Sequence, residues 1–121
     1  MNPAPGFKQR PDHPIAVSPA GVRIKASFNG ELVADTRDAL AMKEGSYPVV
    51  YYFPRKDVKM ERLERSAHAT HCPFKGDAAY FSLKGGPRDA VWSYEQPLDE
   101  VAAIREHLAF YPDKVAISVL R

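Results

Sequence analysis

The sequence is poor in cysteine, with Cys72 as the only one among 121 residues. One thiol can form neither an internal disulfide nor a four-thiolate zinc site, so the fold depends on neither. This cysteine usage predicts a reducing compartment, the cytoplasm. Long apolar runs are also missing, since no window approaches the roughly 20 residues that span a bilayer. Residues 1–14 lack the apolar core of a signal peptide.

An excess of charge of one sign is lacking as well. The chain carries 17 Lys and Arg against 15 Asp and Glu, a formal charge of +2. So small an excess predicts neither nucleic acid nor an anionic membrane as a partner. Phosphate-binding Gly-Lys loops, paired-glycine dinucleotide motifs and Gly-x-Ser-x-Gly elbows are absent from the sequence. The sequence therefore predicts no cofactor, and it leaves the oligomeric state open.

Proline, by contrast, is abundant, with 11 residues spread along the chain. Each internal proline removes a backbone donor and clashes with the preceding turn, so long helices are not expected. Apolar residues make up 45% of the chain, which is typical of a globular protein. We expect an extended lead-in at residues 1–14 and one domain at residues 15–121.

Short strands are predicted where apolar and polar residues alternate. Val22–Phe28 has this period-two pattern, and the Asn29-Gly30 pair after it predicts a tight hairpin turn. Val49–Phe53 is a continuous β-branched and aromatic run, which predicts a strand covered on both faces. Further strands are expected at Ala79–Leu83, Ala90–Tyr94 and Val115–Val119.

One short helix is expected before the last strand. Pro97 suits a first helical position, and an apolar stripe at helical spacing runs from Leu98 to Leu108. Ser66–Asp77, which is polar and contains both proline and glycine, is predicted as a loop. Together these elements predict a mainly β domain of the α+β class.

The densest group of reactive side chains lies in Thr70–Asp77. His71 or Lys75 could favour the thiolate of Cys72, which would make Cys72 a nucleophile. The alternative is that Cys72 packs as a small buried hydrophobe while His71 hydrogen-bonds to the backbone. Adjacent residues of a strand face opposite ways, so His71 and Cys72 need not meet. His68 has three-residue spacing to His71, but no further ligands accompany them, so no metal site is predicted.

Aromatic side chains form two further candidate groups. In an extended chain Tyr51 and Tyr52 project to opposite faces, so one hydroxyl reaches a pocket or solvent while the other needs an internal partner. Asp57 could orient a basic side chain or cap a turn. Trp92 and Tyr94 lie two residues apart on one face, where they could clamp a planar or apolar ligand or fill the core.

Four runs of the sequence resemble the bacterial domain-of-unknown-function family 427. They are Tyr-Tyr-Phe-Pro-Arg-Lys-Asp-Val (51–58), Thr-His-Cys-Pro-Phe-Lys-Gly (70–76), Val-Trp-Ser-Tyr-Glu-Gln-Pro (91–97) and His-Leu-Ala-Phe-Tyr (107–111). The resemblance covers nearly the whole chain from Val22 onward. It implies a compact domain similar to the β-tent group, in which two antiparallel sheets meet at an angle over a shared pocket.

The resemblance also bears on the chemistry. Many β-tent proteins hold zinc with paired Cys-x-x-Cys motifs, whereas Cys72 stands alone here, so the metal is not carried over. The family has been labelled nucleotidyltransferase-like, which calls for acidic Mg²⁺ ligands near a Gly-Ser phosphate loop, and the sequence shows no such pair. The positions that match the family motifs are Tyr52, Asp57, His71, Cys72, Lys75, Trp92 and Tyr94.

These residues lead to one preferred function. We expect a small polar or anionic ligand to bind in an aromatic-lined pocket between the sheets, walled by Trp92 and Tyr94 and edged by Tyr52, His71 and Lys75. One alternative is an enzyme that uses Cys72 or His71. Another is a protein-interaction or structural module that presents a sheet edge or the terminal helix.

Overall fold

The structure is a computed structural model and describes residues 14–121. The lead-in expected at residues 1–14 therefore lies, apart from Pro14, outside the described residues. Within them the chain forms ten strands, numbered along the sequence, and three short 3₁₀ helices. Every strand pairing in this part of the chain is antiparallel. None of its helices has the length and apolar character needed to cross a membrane.

The first sheet joins β1 (Ile15–Pro19), β4 (Leu40–Glu44) and β5 (Val50–Tyr52) in the order β1-β4-β5. β5 confirms the strand predicted within Val49–Phe53. β1 was not predicted; it is a short edge strand that ends in Ser18 and Pro19, and three of its five residues are exposed. It nevertheless pairs with β4 over its full length.

The second sheet joins β2 (Arg23–Phe28), β3 (Glu31–Thr36) and β10 (Ala116–Leu120) in the order β10-β2-β3. The predicted hairpin is confirmed between β2 and β3. Asn29 and Gly30 both have positive φ, at 51° and 77°, as a tight turn of the type I′ requires.

The third sheet joins β6 (Leu63–Cys72), β7 (Gly76–Leu83), β8 (Val91–Ser93) and β9 (Ala109–Phe110) in that order. The loop predicted at Ser66–Asp77 is therefore wrong. This stretch holds most of β6 and the start of β7, joined by a short turn. The sequence pattern did not indicate a strand, because β6 is an edge strand with both faces largely exposed and its residues show no apolar alternation.

The predicted helix is present but short and of the 3₁₀ type. It covers Asp99–Ile104, and Val101 inside it has non-helical angles of φ −127° and ψ 28°. Val101 and Ile104 are its buried residues, as the apolar stripe predicted. The other two 3₁₀ helices cover Arg55–Asp57 and Met60–Arg62.

The mainly β fold class is confirmed, with three antiparallel sheets where two were expected. The first and third sheets are in backbone contact at Phe53, the residue that follows β5. Phe53 and Leu108 exchange two backbone hydrogen bonds, each 2.8 Å long. Among the described residues this pair is an isolated bridge, so the two sheets stay separate.

The interior contains two groups of buried side chains. The larger group includes Ile24, Phe53, Phe81 and Leu108, and its strand residues come from the second and third sheets. The second group lies between the first and third sheets and is rich in aromatic rings. It is the part of the core that holds most of the candidate residues.

Candidate functional site

The structure brings several of the predicted site residues together in one aromatic cluster. Its rings are those of Tyr52, Tyr80, Trp92, Tyr94 and Tyr111, and Cys72 packs against them. Trp92 lies between two tyrosines, with its ring centroid 6.3 Å from that of Tyr52 and 4.5 Å from that of Tyr111. The Nε1–H of Trp92 donates to the hydroxyl of Tyr52 at 3.3 Å. Tyr52 thus has the internal partner that a buried hydroxyl needs.

Burial makes three of these phenols weaker acids, and it raises the pKa of Tyr111 to about 12. It raises the pKa of Tyr52 well above its ordinary value of 10, although the hydrogen bond from Trp92 acts in the opposite direction. It raises the pKa of Tyr94 strongly as well, and the neighbouring Tyr52 adds to this effect. Both hydroxyls therefore stay protonated wherever the protein is folded, and neither is suited to act as a base near neutral pH.

This arrangement predicts alkaline destabilisation. Because the folded state retains phenolic protons that the unfolded state releases, the stabilisation is complete below pH 10 and falls as the pH rises above it. The free energy of unfolding should decrease by about 1 kcal/mol per pH unit for each of Tyr52 and Tyr94. Urea unfolding between neutral pH and pH 11 measures the slope. Tyr94→Phe should reduce it, while Val49→Ala, at an exposed side chain without an ionisable group, should leave it unchanged; equal slopes would contradict the prediction.

Trp92, which belongs to the aromatic cluster, also lines an open groove. The groove has a volume of about 360 Å³ and an almost wholly apolar lining. The residues that line it are Tyr47, Pro48, Val49, Val50, Tyr51, Phe53, Trp92, Phe110, Pro112 and Ile117. We call it the Trp92 groove. Tyr47 and Val49 stand at its exposed rim.

The Trp92 groove exists because two strands diverge. Phe53, just after β5, and Leu108, just before β9, form a backbone bridge. From this bridge toward Val49 on one strand and Pro112 on the other, the two strands do not pair. Tyr51, on the opposite face of β5 from Tyr52, packs toward the larger core group, whereas Tyr52 belongs to the aromatic cluster. The tyrosine pair therefore points to opposite sides, as predicted, and Tyr51 is the one that reaches a pocket.

Lys75 borders the aromatic cluster but is engaged in an ion pair. Its Nζ lies 2.5 Å from Oε1 of Glu44, and the two side chains are only 12% and 18% exposed. The charge of Glu44 is one of the contributions that raise the pKa of Tyr52, which places this pair beside the cluster. Lys75 therefore neutralises an internal carboxylate in this structure.

His71 lies away from the aromatic cluster. Its Nδ1 is 2.7 Å from Oδ1 of Asp77, and both side chains are exposed. Cys72 follows His71 in β6 and faces the other side of the sheet, against the aromatic rings. The structure thus separates the imidazole from the thiol and from Lys75.

Asp57 is also remote from the aromatic cluster. It accepts a hydrogen bond from the hydroxyl of Thr36 at 2.7 Å and lies 3.9 Å from the Lys56 ammonium group. This contact ties a 3₁₀ helix to β3. Within residues 14–121 no group of three or more His, Cys, Asp or Glu side chains converges as metal ligands would.

A comparison with known protein families gives one match. A family model described as domain of unknown function DUF427 matches residues 16–121. The chain belongs to the DUF427 family. No curated protein matches the chain. For this DUF427 domain the functional inference therefore depends on its own geometry.

Sequence reasoning missed half of the residues that line the Trp92 groove in this DUF427 domain. Trp92 and the Val49–Phe53 run were singled out, but Phe110, Pro112 and Ile117 were not. Phe110, Pro112 and Ile117 come near the Val49–Phe53 run only through the long-range pairing that positions β9 and β10. The one local signal is the exposed Tyr-Pro-Val sequence at 47–49, which places large apolar side chains in a turn region.

Proposed function

We propose that this DUF427 domain binds a small ligand with a planar, apolar body in the Trp92 groove. The observation that carries the proposal is the half-buried indole of Trp92 at the wall of an open groove whose lining is almost entirely apolar. Apolar concave sites that bury most of a ligand are the usual form of small-molecule sites. A flat ring can pack against the indole and gain from both burial and ring stacking.

The polarity of the lining decides between ligand classes. The expected ligand was polar or anionic, on the assumption that Lys75 and His71 would edge the pocket. In the structure Lys75 pairs with Glu44 and His71 pairs with Asp77, and neither lines the groove. Burying a charge without a partner is unfavourable, so this groove favours a neutral, apolar ligand body.

The protein has one tryptophan, which makes the proposal directly measurable. N-phenyl-1-naphthylamine, a neutral planar dye, should accept energy from Trp92 when it lies in the groove. We expect saturable quenching of Trp92 emission with a matching rise in dye emission. Trp92→Phe should abolish the transferred component and leave the directly excited dye emission.

A matched pair of surface variants locates the bound dye. Val49→Asp puts a charge at the rim of the groove, where the native side chain is 44% exposed. Leu120→Asp makes the same change in charge at a side chain that is 43% exposed and does not line the groove. We expect at least tenfold weaker dye binding for Val49→Asp, about 1.4 kcal/mol, and little change for Leu120→Asp. Equal affinities for the two variants would place the dye elsewhere and overturn the proposal.

Two other functions receive less support. An enzyme that uses Cys72 or His71 gains no support from their surroundings, because His71 pairs with Asp77 at the surface and Cys72 packs against the aromatic rings on the other face of β6. An interaction module that presents a sheet edge has no feature that favours a particular partner. A cytoplasmic location remains part of the proposal and is supported by the single thiol, Cys72.

A further inference from the structure

A second hollow lies on the third sheet, where β6 departs from regular pairing. From Arg65 to Ala69 β6 takes four residue steps while its partner β7 takes two, from Phe81 to Ala79. The extra residues bow outward, and the backbone N–H of His68 donates to the hydroxyl of Ser66 at 3.0 Å. Bulges of this kind re-aim side chains and are frequent next to binding sites.

The hollow beside this bulge has a volume of about 400 Å³ and contrasts with the Trp92 groove in its chemistry. Its floor includes the small side chains of Ala69 and Ala79, which are paired across β6 and β7. Its walls carry both signs of charge, from Arg65, Asp77 and Glu95. We call it the bulge hollow. Small floor residues leave space for a ligand, and the charged walls supply the polar contacts.

Arg65 is held in place at one end of the bulge hollow. Its Nη2 lies 2.5 Å from Oε2 of Glu95, and its guanidinium carbon lies 5.0 Å from the centre of the Phe81 ring. Arg55 contacts the same Glu95 oxygen at 3.3 Å and is itself fixed by a hydrogen bond to the carbonyl of Glu106. The Arg65 side chain is still 53% exposed. A guanidinium has five N–H donors, so this oriented group can also receive a carboxylate.

The balance of charge around Arg65 favours an anionic group at this end. Hydrogen bonding from Arg65 is the main reason that the pKa of Glu95 lies below its usual value, so Glu95 is ionised near neutral pH. One carboxylate shared by two guanidinium groups leaves one positive charge in excess. That excess attracts an incoming anion.

The other end of the bulge hollow carries negative charge. Asp77 lies there with an exposed carboxylate, and its Oδ1 contacts Nδ1 of His71. A carboxylate has about four acceptor positions, so it can receive an ammonium group as well as the imidazole. A simple anion would be repelled here, and a simple cation would be repelled by Arg65.

We propose that the bulge hollow binds a small zwitterion of the short-peptide class, with its carboxylate on Arg65 and its ammonium group on Asp77. This site is separate from the Trp92 groove and does not depend on the proposed function. Asp77 lies four residues from Phe81, the partner of Arg65, which is about 13 Å along a strand. An extended tripeptide spans about 10 Å, so its two charged ends can each come within ion-pair distance of groups at strand positions about 13 Å apart.

Three probes of similar size test the charge requirement. Triglycine carries both charges, N-acetyltriglycine lacks the ammonium group, and triglycinamide lacks the carboxylate. We expect saturable amide shifts in a ¹H–¹⁵N spectrum of the full chain with triglycine, centred on residues 66–69 and Asp77. The two singly charged probes should bind at least tenfold more weakly. Absence of saturable shifts at these amides, or equal binding of all three probes, would overturn the proposal.

Two substitutions test the two ends separately. Arg65→Gln should weaken triglycine binding at least tenfold and remove the preference over triglycinamide. Asp77→Asn should weaken it comparably and remove the preference over N-acetyltriglycine. Arg88→Gln, at an exposed arginine outside the bulge hollow, makes the same change in net charge and should have little effect.

The same samples separate this proposal from the proposed function. Emission of Trp92 with N-phenyl-1-naphthylamine reports on the Trp92 groove and should be unaffected by Arg65→Gln. Circular dichroism verifies that each variant is folded. If Arg65→Gln and Arg88→Gln weaken triglycine binding equally, the effect is one of net charge and the assigned site is wrong.

Discussion

Replacing Phe53 by alanine should lower the free energy of unfolding by about 3–5 kcal/mol. Phe53 has no exposed surface and contacts Phe110 edge-to-face, with ring centroids 5.2 Å apart. The substitution removes a buried ring, leaves a cavity and deprives Phe110 of its aromatic partner. It acts at the isolated Phe53–Leu108 bridge, which lies between the first and third sheets. Urea denaturation measures the change, and the melting temperature should fall by roughly 10–20 °C.

Two further variants keep this prediction falsifiable if the alanine protein does not fold. Phe53→Leu retains most of the apolar volume and should destabilise by less than half as much. Val49→Ala alters an exposed side chain of the same chain segment and should change the free energy of unfolding by no more than about 0.5 kcal/mol. A Phe53→Leu protein as stable as the native one would show that the ring packing contributes little.

The second large effect is expected at the Lys75–Glu44 ion pair. The two groups are 2.5 Å apart and mostly buried. Removal of one charge takes a close counter-charge away from the other in a poorly hydrated environment, which is strongly unfavourable. Because some exposure remains, we expect Glu44→Gln and Lys75→Met each to lower the free energy of unfolding by about 2–4 kcal/mol.

The double variant shows whether the two charges stabilise each other or contribute to the free energy of unfolding independently. Glu44→Gln combined with Lys75→Met removes both charges together, so its destabilisation should be smaller than the sum of the two single changes by at least about 1.5 kcal/mol. Denaturation of the four proteins at neutral pH provides the cycle. Additive effects would mean that the two charges do not stabilise each other, and Lys75 would again be a candidate for binding an anion.

The elements that the sequence predicted correctly are those determined by neighbouring residues. The β2–β3 hairpin follows from alternation on both sides of Asn29-Gly30, whose positive φ values are intrinsic to the turn. The buried positions of the 3₁₀ helix follow from its apolar spacing. β6 was missed for the complementary reason. An exposed edge strand gains its structure from backbone pairing with β7, which leaves no apolar period in its sequence.

The candidate site was predictable only where local sequence decides the outcome. Tyr52, Trp92 and Tyr94 were predicted from the sequence to lie together at one site, and in the structure they lie in one aromatic cluster. The partner of Lys75 was not predictable, because Glu44 lies 31 residues away and on another sheet. The Trp92 groove likewise depends on where β5 and β9 separate, and that position is set by contacts among three sheets.

The bulge in β6 has a consequence for behaviour at high concentration. β6 has ten residues and, within the part of the chain that the structure describes, pairs with β7 on one side only. A long straight strand in that position would offer another copy a continuous template for self-assembly into fibrils. The displaced residues between Arg65 and Ala69 interrupt that template midway. Deletions that restore regular spacing there should therefore increase aggregation.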